Sequence, residues 1–142
     1  MKISARNVFT GEVTALTDGA VNAEVEMTMA GGDKLVSIIT SSSVKSMRLT
    51  LGKVVVAIVK APWVTVLVGH CDLRFSTRNQ LKGTVSTIMS GPFYTEVGVS
   101  LPGGEVIYAM VTNDSAKVLE LKEGMEAIAL IKASHVILGT SA

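Results

Sequence analysis

The chain has little with which to build a redox, nucleic-acid-binding or membrane-spanning protein. Its single cysteine, Cys71, excludes an intrachain disulfide and fits a reducing compartment. One Trp, two Tyr and three Phe are too few for a set of base-stacking platforms. Lys plus Arg number 13 against 12 Asp plus Glu, so the net charge is +1, without the basic excess a nucleic-acid partner requires. The longest apolar stretch, Val54 to Val68, is interrupted by Lys60 and Pro62 and is too short to cross a bilayer. Residues 1–7 contain no apolar segment of the signal-peptide kind. These shortages predict a soluble cytoplasmic protein with no membrane or nucleic-acid partner.

Catalytic equipment is equally sparse. There are two histidines, His70 and His135, and no Ser-His-Asp set, HExxH or CxxC motif. His70 and Cys71 are adjacent, but a zinc site needs three or four ligands, and an exposed joint explains the pair more simply. The expectation is a protein that is not an enzyme and holds no metal cation.

What the chain does have is β-branched side chains and a repeat. Val, Ile and Thr supply 42 of the 142 residues, which favours strands, because branched side chains pack well on a pleated surface. Shifted by 72 residues, the sequence matches itself without a gap, with 19 identities over the 64 positions from Ile3 to Val66. Ser4, Arg6 and Asn7 fall on Ser76, Arg78 and Asn79; Gly31-Gly32 falls on Gly103-Gly104; Lys60-Ala61 falls on Lys132-Ala133. The chain therefore divides into a first module, 1–68, and a second, 69–142, with a joint at about 67–74. Two copies make a tandem pair rather than a solenoid.

Each copy carries one pattern. Val8 to Leu16 and Val21 to Met27 alternate as half-buried strands do, with a turn at Gly19 between them. Gly31-Gly32 marks a hairpin into Leu35 to Ile39. Thr40 to Ser43 offers helix N-cap residues, so Val44 to Leu49 is predicted as one or two helical turns, ended by Gly52. The valine-rich runs Val54 to Val59 and Trp63 to Val68 read as buried strands. Three strands, a short helix and two strands suit an all-β fold of two tandem OB-like Greek-key β-barrel modules, each with one short helix. A module of about 65 residues buries little surface by itself. With 48% hydrophobic residues, each copy is expected to pack against its twin or other subunits.

The polar residues kept in both copies are the candidates for chemistry. They are Ser4, Arg6, Asn7, Thr40, Ser43 and Lys60, with Ser76, Arg78, Asn79, Thr112, Ser115 and Lys132. (Lys45 and Lys117 match as well, on a helix face read as solvated.) Glu24 and Glu96 are the only acids identical in both copies, and strand 2 gives them a structural reading. Hydroxyls, an Arg, a Lys and backbone N–H groups suit an oxyanion and not a metal cation, which would take carboxylate, imidazole or thiolate. Taken singly, each has a plainer role: Thr40 as an N-cap, Lys60 as a strand residue lying along apolar surface. Their joint recurrence points to an anion site.

These residues, in this order, resemble the molbindins, small molybdate-binding proteins of the Mop/TOBE type, in their tandem two-module form. The carriers are Ser-Ala-Arg-Asn at 4–7, Gly-Ala-Val-Asn-Ala-Glu-Val at 19–25, Gly-Gly at 31–32, Thr-x-x-Ser at 40–43 and Lys-Ala at 60–61, with the second-copy counterparts. The resemblance implies OB-like barrels, a homotrimer, and molybdate, or tungstate as its analogue, bound at interfaces between modules. It nominates Ser4, Arg6, Thr40, Ser43, Lys60 and Ala61, then Ser76, Arg78, Thr112, Ser115, Lys132 and Ala133. It also implies an axial oxyanion site on backbone groups of Gly19, Ala20, Val21 and Asn22. The implied function is storage, buffering or delivery of molybdenum in the cytoplasm, with a molybdate-responsive sensor acting through a protein partner as the alternative. The second copy departs at the axial turn, reading Gly91-Pro92-Phe93-Tyr94. Pro92 has no N–H to donate and the two rings are bulky, so the second axial end is expected to bind an oxyanion poorly.

Overall fold

The computed structural model describes residues 1–141. The first repeat forms β1 (Asn7–Asp18), β2 (Asn22–Met29), β3 (Lys34–Thr40), α1 (Ser41–Ser46), β4 (Val54–Val59) and, after a 3₁₀ turn at Ala61–Trp63, β5 (Thr65–Leu67). The second repeat forms β6 (Asn79–Ser90), β7 (Tyr94–Ser100), β8 (Val106–Thr112), α2 (Asn113–Val118), β9 (Glu126–Ile131), a 3₁₀ turn at Ala133–His135 and β10 (Ile137–Gly139). The alternation that predicts β1 and β2 is the alternation of their buried and exposed residues. Irregular pairing recurs between Val13 and Ala15 and between Val85 and Thr87, matched positions where each long strand bends.

Two elements differ from the sequence expectation. The helix expected at Val44 to Leu49 begins three residues earlier, because the Thr40 hydroxyl caps it by accepting the Ser43 N–H at 3.1 Å. It ends where Arg48 turns to φ 50°. The strand expected from Trp63 opens as the 3₁₀ turn instead, because here the chain leaves one sheet for the other.

That crossing organises the fold. One sheet has the order β10-β4-β1-β2-β3 and the other β5-β9-β6-β7-β8, all antiparallel. The last strand of each repeat therefore lies in the other repeat's sheet. There it also touches the far edge strand, β10 against β3 and β5 against β8, which curls each sheet toward a barrel. The fold is all-β, two tandem OB-like barrels with one short helix each. The division at 1–68 and 69–142 separates sequence repeats, whereas each barrel takes strands from both. One core runs through the pair, with Val64 and Val66 of the first repeat and Val136 of the second buried in it.

Matched residues meet where the halves join. Trp63 stacks on His135, its counterpart, with ring centroids 4.7 Å apart. The β2–β3 and β7–β8 turns touch at Gly31 and Gly103, where a Cβ on Gly31 would fall on the Gly103 carbonyl, so no larger residue fits there. Self-contact between equivalent positions is the mark of a pseudo-twofold axis. The edge strands are then locked by asparagine. Asn79 donates to the Val36 carbonyl and accepts from the Val36 N–H, both at 2.7 Å; Asn7 does the same to Tyr108, both at 2.8 Å. Asn7 and Asn79 are 1% and 3% exposed, so these bonds satisfy buried amides as well as strand edges. Asn79→Ala is expected to cost about 2–3 kcal/mol, because two backbone groups lose their buried partner. Chemical denaturation checks this, and an unchanged midpoint would show that Asn79 does not lock the halves.

Candidate functional site

The exchange of strands sets which candidate residues come together. Ser4 and Arg6 lie just before β1, and Lys60 and Ala61 just after β4, whose Val59 pairs with Asn7. This group faces the second barrel: Asn7 binds β8, the Ala61–Trp63 turn packs on β8, and Arg6 reaches Glu96 of β7 and Tyr108 of β8. Strand β8 then runs into Thr112, with Ser115 in the helix behind it. In the same way Ser76, Arg78, Lys132 and Ala133 gather on β2 and β3, whose end carries Thr40 and Ser43. Each half-set from one repeat thus shares a strand with the Thr-x-x-Ser of the other.

The hydroxyl pairs are engaged locally. Thr40 Oγ1 and Ser43 Oγ lie 2.8 Å apart, and Thr112 Oγ1 donates to Ser115 Oγ at 2.9 Å, while both threonines cap their helices. No hydrogen bond among the described residues joins them to the Arg and Lys of the facing half-set. Ser4, Arg6, Thr40, Lys60, Ser76, Arg78, Thr112, Ser115 and Lys132 are all exposed; Ser43 is half-buried, and Ala61 and Ala133 are buried. The ammonium and guanidinium groups therefore stand at the rim of the joint, open to a solute.

The repeated arginine and glutamate pair with each other across the joint. Arg6 Nε lies 3.3 Å from Glu96 Oε1, and Arg78 Nη2 donates to Glu24 Oε1 at 3.0 Å. Each carboxylate occupies one guanidinium nitrogen and leaves others to donate elsewhere. Among the described residues no group of three or more His, Cys, Asp or Glu is placed to hold a metal ion, and no helix is long and apolar enough to cross a membrane. The chemistry offered is that of a cationic, hydroxyl-rich rim around a joint between barrels, suited to an oxyanion.

The TOBE domain model matches this chain twice, at residues 3–66 and 76–138. The chain belongs to the TOBE domain family. It is 41% identical over 138 residues to the molybdenum transport protein ModE of Azotobacter vinelandii, covering 97% of this chain and 51% of that protein. It is 42% identical over 138 residues to the molybdenum-pterin-binding protein MopA of Rhodobacter capsulatus, covering 97% of this chain and 52% of that one. The chain thus spans about half the length of these curated relatives. Among solved structures it is similar to the cytoplasmic molybdate-binding protein ModG with molybdate bound, at 52% identity and a TM-score of 0.94, covering 99% of this chain and 100% of that one.

The turns before β2 and β7 of the two TOBE modules share their backbone hydrogen bonds despite their different residues. Gly19 N–H donates to Asn22 O at 3.0 Å, and Gly91 N–H to Tyr94 O at 2.7 Å. Ser41 Oγ donates to the Gly19 carbonyl at 2.8 Å, and at the matched position Asn113 Nδ2 donates to the Gly91 carbonyl at 2.9 Å. Gly19, Ala20, Val21 and Asn22 are exposed, as are Phe93 and Tyr94. His70 pairs with Asp72 at 2.9 Å on the exposed joint. Three roles lie beyond what the repeat comparison alone reveals: the Asn7 and Asn79 locks, the Arg–Glu pairing, and Tyr108 beneath Arg6. The first two had a signal in their recurrence; Tyr108 had none, because its counterpart is Val36.

Proposed function

We propose that this TOBE-family chain binds molybdate, and tungstate as its analogue, in the cytoplasm, for storage, buffering or delivery, and has no catalytic role. The observation that carries the reading is a doubled set of exposed donors, two cations per set, gathered at the joint between barrels. Molybdate is a tetrahedral dianion with four acceptor oxygens, and it calls for donors from several directions. Arg and Lys give charge-assisted bonds, and hydroxyls can turn toward any oxygen. The likeness to ModG over the full length of both chains supports a binding protein over the sensor alternative.

The proposed ligands are Ser4, Arg6, Lys60 and the Ala61 N–H with Thr112 and Ser115 at one site, and Ser76, Arg78, Lys132 and the Ala133 N–H with Thr40 and Ser43 at the other. A further, axial site would use Gly19 to Asn22, with its Pro92-containing counterpart much weaker. We propose a homotrimer without nucleic-acid or membrane partners. The support is exposed apolar surface at the axial turns, where Val21 is 72% and Phe93 78% exposed.

Calorimetry is expected to show binding of molybdate and tungstate and far weaker binding of sulfate, whose smaller size leaves donors under-satisfied. Lys60→Ala should weaken one class of site by roughly 1.5–3 kcal/mol, the range for a charged hydrogen bond, and leave the other class intact. Equal binding of sulfate, or a wild-type titration from Lys60→Ala, would refute these assignments. Light scattering should give about three times the chain mass of 14.9 kDa; a monomer would refute the assembly.

A further inference from the structure

The two joint sites are built from repeated parts, yet their arginines are held differently. Arg6 lies over the ring of Tyr108, with Cζ 3.6 Å from the ring centroid. It turns its Nε toward Glu96, at 3.3 and 3.4 Å from the two carboxylate oxygens. Its two terminal nitrogens have no protein partner among the described residues. Arg78 has no such ring, because Val36 stands where the other half has Tyr108. It spends a terminal nitrogen, Nη2, on Glu24 at 3.0 Å. The terminal edge is one of the two that present parallel N–H groups to an oxyanion, and Nη2, the nitrogen Arg78 spends, belongs to both.

The ring is itself set in place. Tyr108 pairs across the sheet with Gly98, where the first half pairs Val36 with Glu26. A Cβ on Gly98 would run into Thr87 Oγ1 and come within 3.2 Å of both Tyr108 Cε1 and Val106 Cγ1, so glycine leaves room for all three side chains, the ring among them. The backbone of Tyr108 is fixed on its other side by both bonds to Asn7. Glu96 and Glu24 stand beside their arginines alike. Glu26 adds a carboxylate on the Arg78 side, where the other half has Gly98, but it is paired with Lys34 and Thr14. The ring and the nitrogen used are the differences at the guanidinium itself.

We propose that Tyr108 is a positioning residue that orients Arg6 with its terminal edge free, so the Arg6 site takes an oxyanion more tightly than the Arg78 site, which must first give up a bond to Glu24. This rests on the molybdate-binding reading above. The test is calorimetric titration with molybdate of the wild-type protein, Tyr108→Val and Tyr108→Phe, with side-chain NMR of the arginine Nε–H groups in the absence of anion. The wild type should show a tighter and a weaker class of joint site. Tyr108→Val should weaken the tighter class about three- to tenfold, while Tyr108→Phe, which keeps the ring, should stay within about twofold. The Arg6 Nε–H resonance should carry a ring-current shift that is lost in Tyr108→Val and kept in Tyr108→Phe. An unchanged titration of Tyr108→Val, or an Arg6 resonance indifferent to the ring, overturns the inference and leaves the molybdate reading standing. No molybdate binding by any of the three proteins overturns both.

Discussion

Neither repeat carries all the strands of its own barrel. β10 reaches back to pair with β4, and β5 reaches forward to pair with β9. A missing last strand would leave β4 or β9 with unpaired backbone groups and an open end to the core, both costly in water. Each repeat therefore stabilises the other, and the small size of a single module ceases to be a limit. The glycines that let the turns approach, the Asn7 and Asn79 locks and the Trp63–His135 stack all follow from the requirement that the halves stay in one arrangement.

The same crossing explains where the cations go. Lys60 and Lys132 are the residues at which the chain leaves its own sheet, and Arg6 and Arg78 stand just before the strands that neighbour β4 and β9. Placed at the joint, they meet the other repeat's Thr-x-x-Ser strand rather than their own. Two like charges at one rim are tolerable because Glu96 and Glu24 each balance one guanidinium, and an incoming dianion would balance the rest. An oxyanion bound there would touch both repeats and oppose their separation, so that its binding would add to the stability of the pair.

Much of this was legible in the sequence, for definite reasons. Strands β1 and β2 follow from alternation, β3 from the Gly31-Gly32 hairpin and β4 from its valine-rich run, and the 72-residue repeat turned weak fragments into a coherent donor set. Local pattern could not reveal the destination of Val64 to Val68, because a buried strand has the same hydrophobic signature in either sheet. Recurrence marked Asn7 and Asn79 as important, yet only their burial identifies a lock rather than a ligand. Arg and Glu both recurred, but their pairing joins residues 90 and 54 positions apart in sequence. Tyr108 breaks the repeat and so escaped a reading built on what repeats.

In the proposed arrangement each oxyanion site is assembled from both repeats. The direct measurement is molybdate titration of two double variants, Lys60→Ala with Thr112→Ala and Lys60→Ala with Thr40→Ala. If the sites cross the joint, the first pair damages one site and spares the other, while the second pair damages both. The opposite pattern, with Lys60→Ala and Thr40→Ala sparing one site, would show that each repeat builds its site from its own residues and would contradict the account.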